Sequence, residues 1–490
     1  FKRNRKMKTV YKFLFAAVLM GTVSCKEEFL QTEPTELISA NQIAEASALN
    51  PGLQSANVAG IYATMYGAGS GGTSGHDDFG HKSYDIYGDL LSGDMALTSV
   101  IYGWFRTITE FQTTQDYTVD DNYQAWRFYY RLIFAANTVI DGLGGTNAIP
   151  GTASGRWYMG QAKAMRAFSY FYLAQYYQNE YNPTEKILPL YTNTTDPNLP
   201  KSTAADVYAL MIKDLTDAQS LLSDFTRASK AEVNANVAKG MLAYVHGAMG
   251  NNAAMKTVTA DIIANGGFKI MTGTEVLGGF NNVATNPWMW GVDITTDSKL
   301  NLISWWGQMD LYTYSYAWAG DIKGMDKGLY DLIPATDVRK AQFSAANKLA
   351  PIGKFYHPNK VIGGQRTIDA DYIYMRVEEM YLLNAEACAK TGDEAGARKS
   401  LKAIMALRVP DASYIDALTG KALQDEIYLQ TRIELWGEGK SYLSLKRNKG
   451  TVNRGSNHLK FVATPILYND TRLSLKIPIQ EVQNNPNLNK

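Results

Sequence analysis

The sequence predicts a mainly α fold, a body of about four stacked helix pairs carrying loop-rich insertions with short strands. Three observations predict it. Apolar residues recur every three or four positions along several stretches. Two distant regions repeat a helix, glycine turn, helix pattern, and the material between them loses that period and fills with Gly, Asn, Asp and aromatics. With 490 residues, 46% of them hydrophobic and 19% charged, the chain has enough apolar material for a large core. Its 48 basic and 47 acidic residues, a net of +1, argue against a nucleic-acid partner, which requires a basic surface. Two cysteines exclude a disulfide framework and any multi-cysteine zinc or iron–sulfur site.

Residues 1–24 carry Lys2, Arg3, Arg5, Lys6, Lys8 and Lys12, no acid, and an apolar run from Phe13 to Met20. This is the pattern of a secretory signal peptide, with Met7 a plausible start. The run is shorter than the roughly 20 residues that span a bilayer. Gly21-Thr22-Val23-Ser24 leading into Cys25 resembles a lipobox, with Thr22 where Leu is usual, so Cys25 is the expected lipidation site. Removing residues 1–24 leaves 42 basic against 47 acidic residues, a net of −5. Glu27 and Glu28, just after the cysteine, resemble signals that send lipoproteins to the cell exterior. Residues 25–52, with Pro34 and Pro51, read as a lipidated tether and docking segment. Residues 53–490 read as a single binding domain, with a loop-rich insertion at about 266–375.

The helices follow in order. Over Asp121–Gly142, Tyr123, Trp126, Tyr130, Ile133, Asn137 and Ile140 share one face, with Asn137 expected to be a buried hydrogen-bonding group. Arg156–Gln178 is aromatic on nearly all sides, as a central buried helix should be. Ser202–Leu222 opens on a Ser-Thr cap. Val237–Ile263 breaks at Met249–Asn252, and Arg376–Arg408 breaks at Lys390–Asp393, each with small residues after the turn. Asp121–Gln178 and Ala422–Lys446 are further helical members, which brings the count to about four pairs. Paired helices with a Gly turn and small crossing residues mark a tetratricopeptide-like repeat, whose units bury their apolar faces only by stacking.

Catalytic patterns fail one by one. The glycines of residues 67–75 follow no apolar strand and precede no phosphate-binding Lys, so they read as a flexible loop. His76, Asp77, Asp78 and His81 lack helical spacing and a third histidine, which disfavours a metal site. Glu379 and Glu386 are seven residues apart, about 10 Å along a helix, beyond the separation of a glycosidase pair; an ion pair between Arg376 and Glu379 is the expected arrangement. Cys388 lies on an apolar helix face and reads as a buried thiol. No catalytic residue, metal or cofactor is expected.

The segment 304–318 interleaves Trp305, Trp306, Tyr312, Tyr314, Tyr316 and Trp318 with small and polar residues. As a strand it would place Tyr312, Tyr314, Tyr316 and Trp318 on one face. Flat rings with polar tips suit ligands that have both C–H faces and hydroxyls, which describes sugars. These six and Trp104 are the candidate ligand-binding aromatics, while Trp288 and Trp290 read as packing.

The ordered motifs then resemble a known family. Its carriers are Trp126-x-x-x-Tyr130-x-x-Ile133-x-x-Ala136-Asn137, Gln161-Ala162-Lys163-Ala164-Met165-Arg166-Ala167 and Leu188-Pro189-Leu190. They continue with Tyr374-x-Arg376-x-x-Glu379-x-Tyr381-Leu382-Leu383-x-Ala385-Glu386-Ala387, Arg432-x-Glu434-Leu435-x-x-Glu438-Gly439, and Ile477-Pro478-x-x-Glu481-x-x-x-Asn485-Pro486-Asn487-Leu488. Behind a lipobox, these resemble the SusD/RagB family of nutrient-capturing surface lipoproteins. Gln161, Lys163 and Lys440-Ser441-Tyr442 depart from the family pattern at scaffold positions. The resemblance implies a non-catalytic, outer-membrane lipoprotein that binds oligosaccharides and delivers them to a SusC-like, TonB-dependent β-barrel transporter. Peptide or other nutrient uptake, a surface glycosidase and a structural adhesin are the alternatives.

Overall fold

The computed structural model describes residues 46, 50–364 and 366–490; the signal segment, Cys25 and nearly all of the tether lie outside them. The helical body comprises α1 (Ser55–Thr64), α2 (His81–Ser92), α3 (Asp120–Gly142), α4 (Ala153–Tyr177), α5 (Ala204–Leu221), α6 (Ala235–Ala248) and α7 (Asn252–Asn265). A five-residue helix, α8 (Trp305–Met309), lies within the insertion, and α9 (Val377–Lys390), α10 (Glu394–Met405), α11 (Gly420–Glu434) and α12 (Ser441–Arg447) follow it. The strands that position the site are β1 (Met95–Leu97), β2 (Trp288–Val292), β3 (Lys323–Met325) and β4 (Tyr372–Arg376). Among the described residues no helix is long and apolar enough to cross a membrane.

Among the described residues helix-turn-helix pairs form where the periodicity predicts them, α3 with α4, α6 with α7, and α9 with α10, and α11 and α12 follow as the last helices of the body. Helix α5 packs against both α4 and α6, and α7 against both α6 and α9, so the pairs stack into one continuous layer. The two similar turns carry Gly250 and Gly392 at φ 74° and 81°, a region that costs a side-chain-bearing residue about 1–2 kcal/mol. Thr203 caps α5, accepting a hydrogen bond from Asp206 N at 3.2 Å. Asn137 is buried as expected: its Oδ1 accepts from Arg166 Nη1 at 2.9 Å, and its Nδ2 donates to Tyr191 O at 3.2 Å. Residues 422–446 hold two helices, α11 and the end-to-end neighbour α12, and the turn 435–440 between them drives Trp436 into the core.

Strands β2 and β4 pair antiparallel, Trp288 opposite Arg376 and Val292 opposite Tyr372, and so bring the two ends of the insertion together. A buried knot of charges fastens that junction. Glu434 accepts from Arg376 Nη1 at 2.8 Å, Arg408 Nη2 at 2.8 Å and Nε at 3.0 Å, and Arg339 Nη1 at 3.1 Å. Glu438 accepts from Arg376 Nε at 2.8 Å and Lys354 Nζ at 2.8 Å. Burial pushes Glu434 up, yet the surrounding guanidiniums of Arg408, Arg376 and Arg339 hold it well below the usual carboxylate range.

This corrects the expected Arg376–Glu379 pair. Arg376 ends a strand in extended backbone (φ −136°, ψ 162°), so helical i, i+3 spacing does not apply to it. Its partner on α9 is Glu378, at 3.3 Å, while Glu379 accepts a hydrogen bond from the Tyr244 hydroxyl. Glu386 is engaged by Lys390 Nζ at 2.8 Å and Arg447 Nε at 3.2 Å. Cys388 is buried as expected, and burial pushes its thiol up to about 11.

Candidate functional site

Three loops meet: residues 98–105 after β1, residues 310–322 between α8 and β3, and residues 356–364 ahead of β4. The short ladder of β1 with β3 pairs Met95 with Met325 and Leu97 with Lys323, and its continuation aligns the first two loops. Thr98 N donates to Ile322 O at 3.0 Å. The Asp321 carboxylate then clamps the first loop, accepting from Ile101 N at 2.5 Å and Tyr102 N at 2.8 Å. Being buried, Asp321 acts as a fixed peg and is not a surface charge.

The segment 304–318 is not a strand, and this changes the fate of its rings. Ser304 caps α8, accepting from Gly307 N at 3.0 Å, and the helix turns Trp305 and Trp306 inward. Trp305 is 2% exposed and Trp306 0%, so neither belongs to an open platform. Trp306 Nε1 donates to Ala370 O at 2.8 Å, and the Trp305 ring packs against Phe355 at 4.7 Å. Two hydrophobic rings side by side fill core; the interleaved small residues belong to a helix cap and turns, with no alternating face. Trp288 and Trp290 are buried, as expected of packing residues.

The remaining candidates lie close together. Trp318 is 45% exposed, Tyr312, Tyr314 and Trp104 are partly buried, and Tyr316 lies just beneath the surface. Trp318 and Tyr314 are in ring contact at 5.7 Å. Tyr316 contacts Trp104 at 6.1 Å and Tyr102 at 5.1 Å. Tyr102, 59% exposed, presents a more open ring than Trp104, although only Trp104 was singled out from the sequence. The face of Trp104 is taken by His76, stacked at 5.1 Å with the planes 1° apart. His76 Nδ1 is hydrogen-bonded to the Tyr316 hydroxyl at 2.5 Å. Exposed Ile101, Val361 and Ile362 extend the patch. Gly363 fixes its edge: at φ 63°, a Cβ there would lie 2.3 Å from the Trp318 indole, so the absence of a side chain lets the loop seat against the ring.

The loop carrying His76 is held firmly, contrary to the flexible reading of residues 67–75. Asp78 accepts from Gly71 N at 2.7 Å and from Thr73 N and Oγ1, each at 2.9 Å, and Arg131 Nη1 donates to Ser70 O at 2.7 Å. Carboxylate-capped backbone, with no open cradle, explains its glycines. Beneath the patch, Gln308 Nε2 donates to His76 O at 2.8 Å while its Oε1 accepts from Lys323 Nζ at 2.8 Å. Burial lowers Lys323 to about 7, against the pull of Asp321 and Asp77. Burial, reinforced by Asp121, raises Asp77 to about 7. His81 is elsewhere, in the aromatic core, with Nδ1 3.1 Å from the Tyr129 hydroxyl; burial lowers it to about 3. Among the described residues no group of three His, Cys, Asp or Glu side chains is arranged to hold a metal ion.

A separate cleft of about 520 Å³ opens beside α3, lined by Trp126, Arg127, Tyr130, Phe134, Asp196 and Glu481 among others; none of the candidate aromatics borders it. Trp126 Nε1 donates to Glu481 Oε2 at 3.3 Å and the Tyr130 hydroxyl to Pro189 O at 2.9 Å. Those bonds tie the α3 motif to residues 477–488 and to Leu188-Pro189-Leu190, which accounts for three of the sequence motifs by scaffold contacts.

Comparison with known proteins agrees with this architecture. Residues 82–246 match a family described as starch-binding and associating with the outer membrane, and residues 293–490 match the SusD family. No curated protein matches the chain. Among solved structures, a SusD-like carbohydrate binding protein from Bacteroides vulgatus is 25% identical, with a TM-score of 0.75 over 89% of this chain and 97% of that one. A SusD superfamily protein from Bacteroides thetaiotaomicron is 23% identical, with a TM-score of 0.73 over 88% and 97%. Another, from Bacteroides fragilis, is 23% identical, with a TM-score of 0.72 over 90% and 99%. The shared fold runs nearly the full length of each relative and two matched regions flank the start of the insertion: the chain belongs to the SusD/RagB family.

Proposed function

We propose that the protein is a cell-surface lipoprotein, anchored through Cys25, that binds oligosaccharides and passes them to a TonB-dependent β-barrel transporter without cleaving them. Residues 53–490 act as one binding unit in this reading. The observation that carries it is the aromatic patch of Tyr102, Trp104, Tyr312, Tyr314, Tyr316 and Trp318, preorganised by Asp321, His76 and Gly363. Sugar rings stack their C–H faces on such rings, and a ring already locked by neighbours loses little freedom on binding. The one carboxylate pair considered from the sequence is occupied elsewhere: Glu379 and Glu386 are buried in the helical body with Tyr244, Lys390 and Arg447 as partners. The matched family's description as starch-binding and associated with the outer membrane supports both the ligand class and the location.

Isothermal titration against a panel of oligosaccharides and peptides tests the ligand class, with Trp318→Ala and Tyr102→Ala as site variants. Binding of at least one oligosaccharide is expected, weakened about tenfold in each variant, the effect of roughly 1.4 kcal/mol. Failure of every sugar to bind, or release of reducing ends from a bound one, overturns the reading. Affinity purification from native membranes is expected to retain a large β-barrel partner, and its absence would remove the transport step.

A further inference from the structure

We propose that the ligand of the aromatic patch is an anionic glycan, one whose sugars bear carboxylate or sulfate groups; this rests on the glycan reading above. The rim of the patch segregates charge. Arg366 lies over the Tyr314 ring at 4.2 Å, next to Trp318. Lys360 lies over Tyr356 at 4.0 Å, and Tyr356 in turn contacts Tyr312 at 6.4 Å. Lys348 Nζ donates to Ser99 Oγ at 3.3 Å, two residues from Ile101. All three side chains are exposed, and among the described residues none forms an ion pair with a carboxylate.

Two acids of the same loops are turned inward and a third is paired. Asp310 is buried and accepts from Tyr312 N at 3.0 Å and His357 N at 3.1 Å. Asp321 is consumed by the backbone of Ile101 and Tyr102. Asp369 is engaged by His357 Nε2 at 2.7 Å. The patch therefore presents three unpaired cations outward, keeps Asp310 and Asp321 as internal pegs, and leaves its exposed acid, Asp369, paired with His357, in a chain whose charges otherwise nearly balance.

Cations over ring faces are also positioned cations. Arg366 and Lys360 keep their charge at the height of the platform and do not trail into solvent. An oligosaccharide stacked on Trp318 or Tyr102 would carry its ring substituents across that rim, where a planar guanidinium suits a two-oxygen acceptor. A neutral sugar gains only hydrogen bonds to its hydroxyls from these three groups. An acidic one gains from each, and the gain is sensitive to salt because the groups are exposed.

The test is titration of the full chain at 50 mM and 500 mM NaCl against three sets of probes. These are neutral oligosaccharides (malto-, cello- and xylo-oligomers), oligogalacturonides bearing only carboxylates, and carrageenan oligomers bearing only sulfates. The variants are Arg366→Gln and the triple variant Lys348→Gln, Lys360→Gln, Arg366→Gln, whose surface positions leave the core intact. The expected result is that an acidic set binds at least about tenfold tighter than the neutral set at low salt, a difference of about 1.4 kcal/mol. The triple variant and high salt should each remove that preference. Preference for oligogalacturonides assigns a carboxylate, and preference for carrageenan oligomers assigns a sulfate. Equal affinity for neutral and acidic sugars, unchanged in the triple variant, overturns this inference and leaves glycan binding standing. No binding by any set overturns both.

Discussion

Replacing Glu434 by Gln isolates what the buried charge knot contributes. The wild-type carboxylate accepts four hydrogen bonds from three guanidiniums, at 2.8, 2.8, 3.0 and 3.1 Å. An amide of the same shape retains one acceptor oxygen and turns its NH₂ toward at least one arginine donor, so about half of those bonds become donor–donor contacts. Hydrogen bonds to charged groups contribute about 1.5–3 kcal/mol each. Leaving a buried partner charge uncompensated costs about 3–5 kcal/mol in total. Arg339 keeps Asp337, at 2.6 Å, as a second partner, and Arg376 keeps Glu438, which places the expected loss near 4 kcal/mol and not at the sum of four bonds. Urea unfolding followed by tryptophan fluorescence reads this directly, since Trp436 is fully buried two residues away. The folded-state carboxyl lies well below its ordinary value of 4.5, so its contribution is complete above that pH and is lost only as the pH falls far below it. A loss under about 1 kcal/mol at pH 7 would refute the reasoning, showing the arginines to be compensated without Glu434.

Three further outcomes follow from the geometry. Trp306→Ala should destabilise the protein by about 3–5 kcal/mol in the same unfolding assay, the cost of emptying a buried indole site; at 25 °C its effect on sugar affinity should be small if the protein remains folded, as titration would show. Gly363→Ala places a methyl within the space of the Trp318 indole, so sugar affinity should fall about tenfold with a melting temperature changed by only a few degrees; unchanged affinity would take Trp318 out of the site. Burial raises the Glu386 carboxyl, but Arg447 and Lys390 hold it down to about 2, below its ordinary 4.5. Its stabilisation is thus present above pH 4.5 and lost as pH falls through 2, and Glu386→Gln should cost about 3 kcal/mol at pH 7 with the gap to wild type closing across that window in pH-dependent unfolding.

The helices were legible because their signal is local. Asp121–Gly142 and the paired regions around Met249 and Lys390 show a 3.6-residue period that burial against neighbours enforces, and each forms within a few residues of its expected bounds. Residues 422–446 are helical as expected, in two pieces, with Leu435 and Trp436 carrying the apolar pattern through the turn between them. The site was half legible. Aromatic content marked segment 304–318, yet the same rings serve as core or as contact surface, and only the α8 cap shows that Trp305 and Trp306 turn inward. Tyr102 and Gly363 carry no mark of their own, and His76 is marked only as a weak metal candidate, because their partners Tyr316, Trp318 and Trp104 are distant in sequence and the pairing is purely tertiary. Arg376 was assigned the wrong partner for a related reason: a residue at a strand end obeys no helical spacing rule.

The clamp between Asp321 and the backbone of Ile101 and Tyr102 spans 220 residues of chain. Contacts of such separation form late, since their loop-closure entropy must be overcome before they return any stability. The first-made half of the patch therefore waits, unorganised, while the helices α3 to α7 are synthesised and stack on their neighbours. A nascent or truncated chain ending before residue 321 has no Asp321 to order the 98–105 loop. Competence to hold a ligand thus reports on completion of the whole chain, and a conformation-specific probe of Tyr102 would serve as a clock for the last stage of folding.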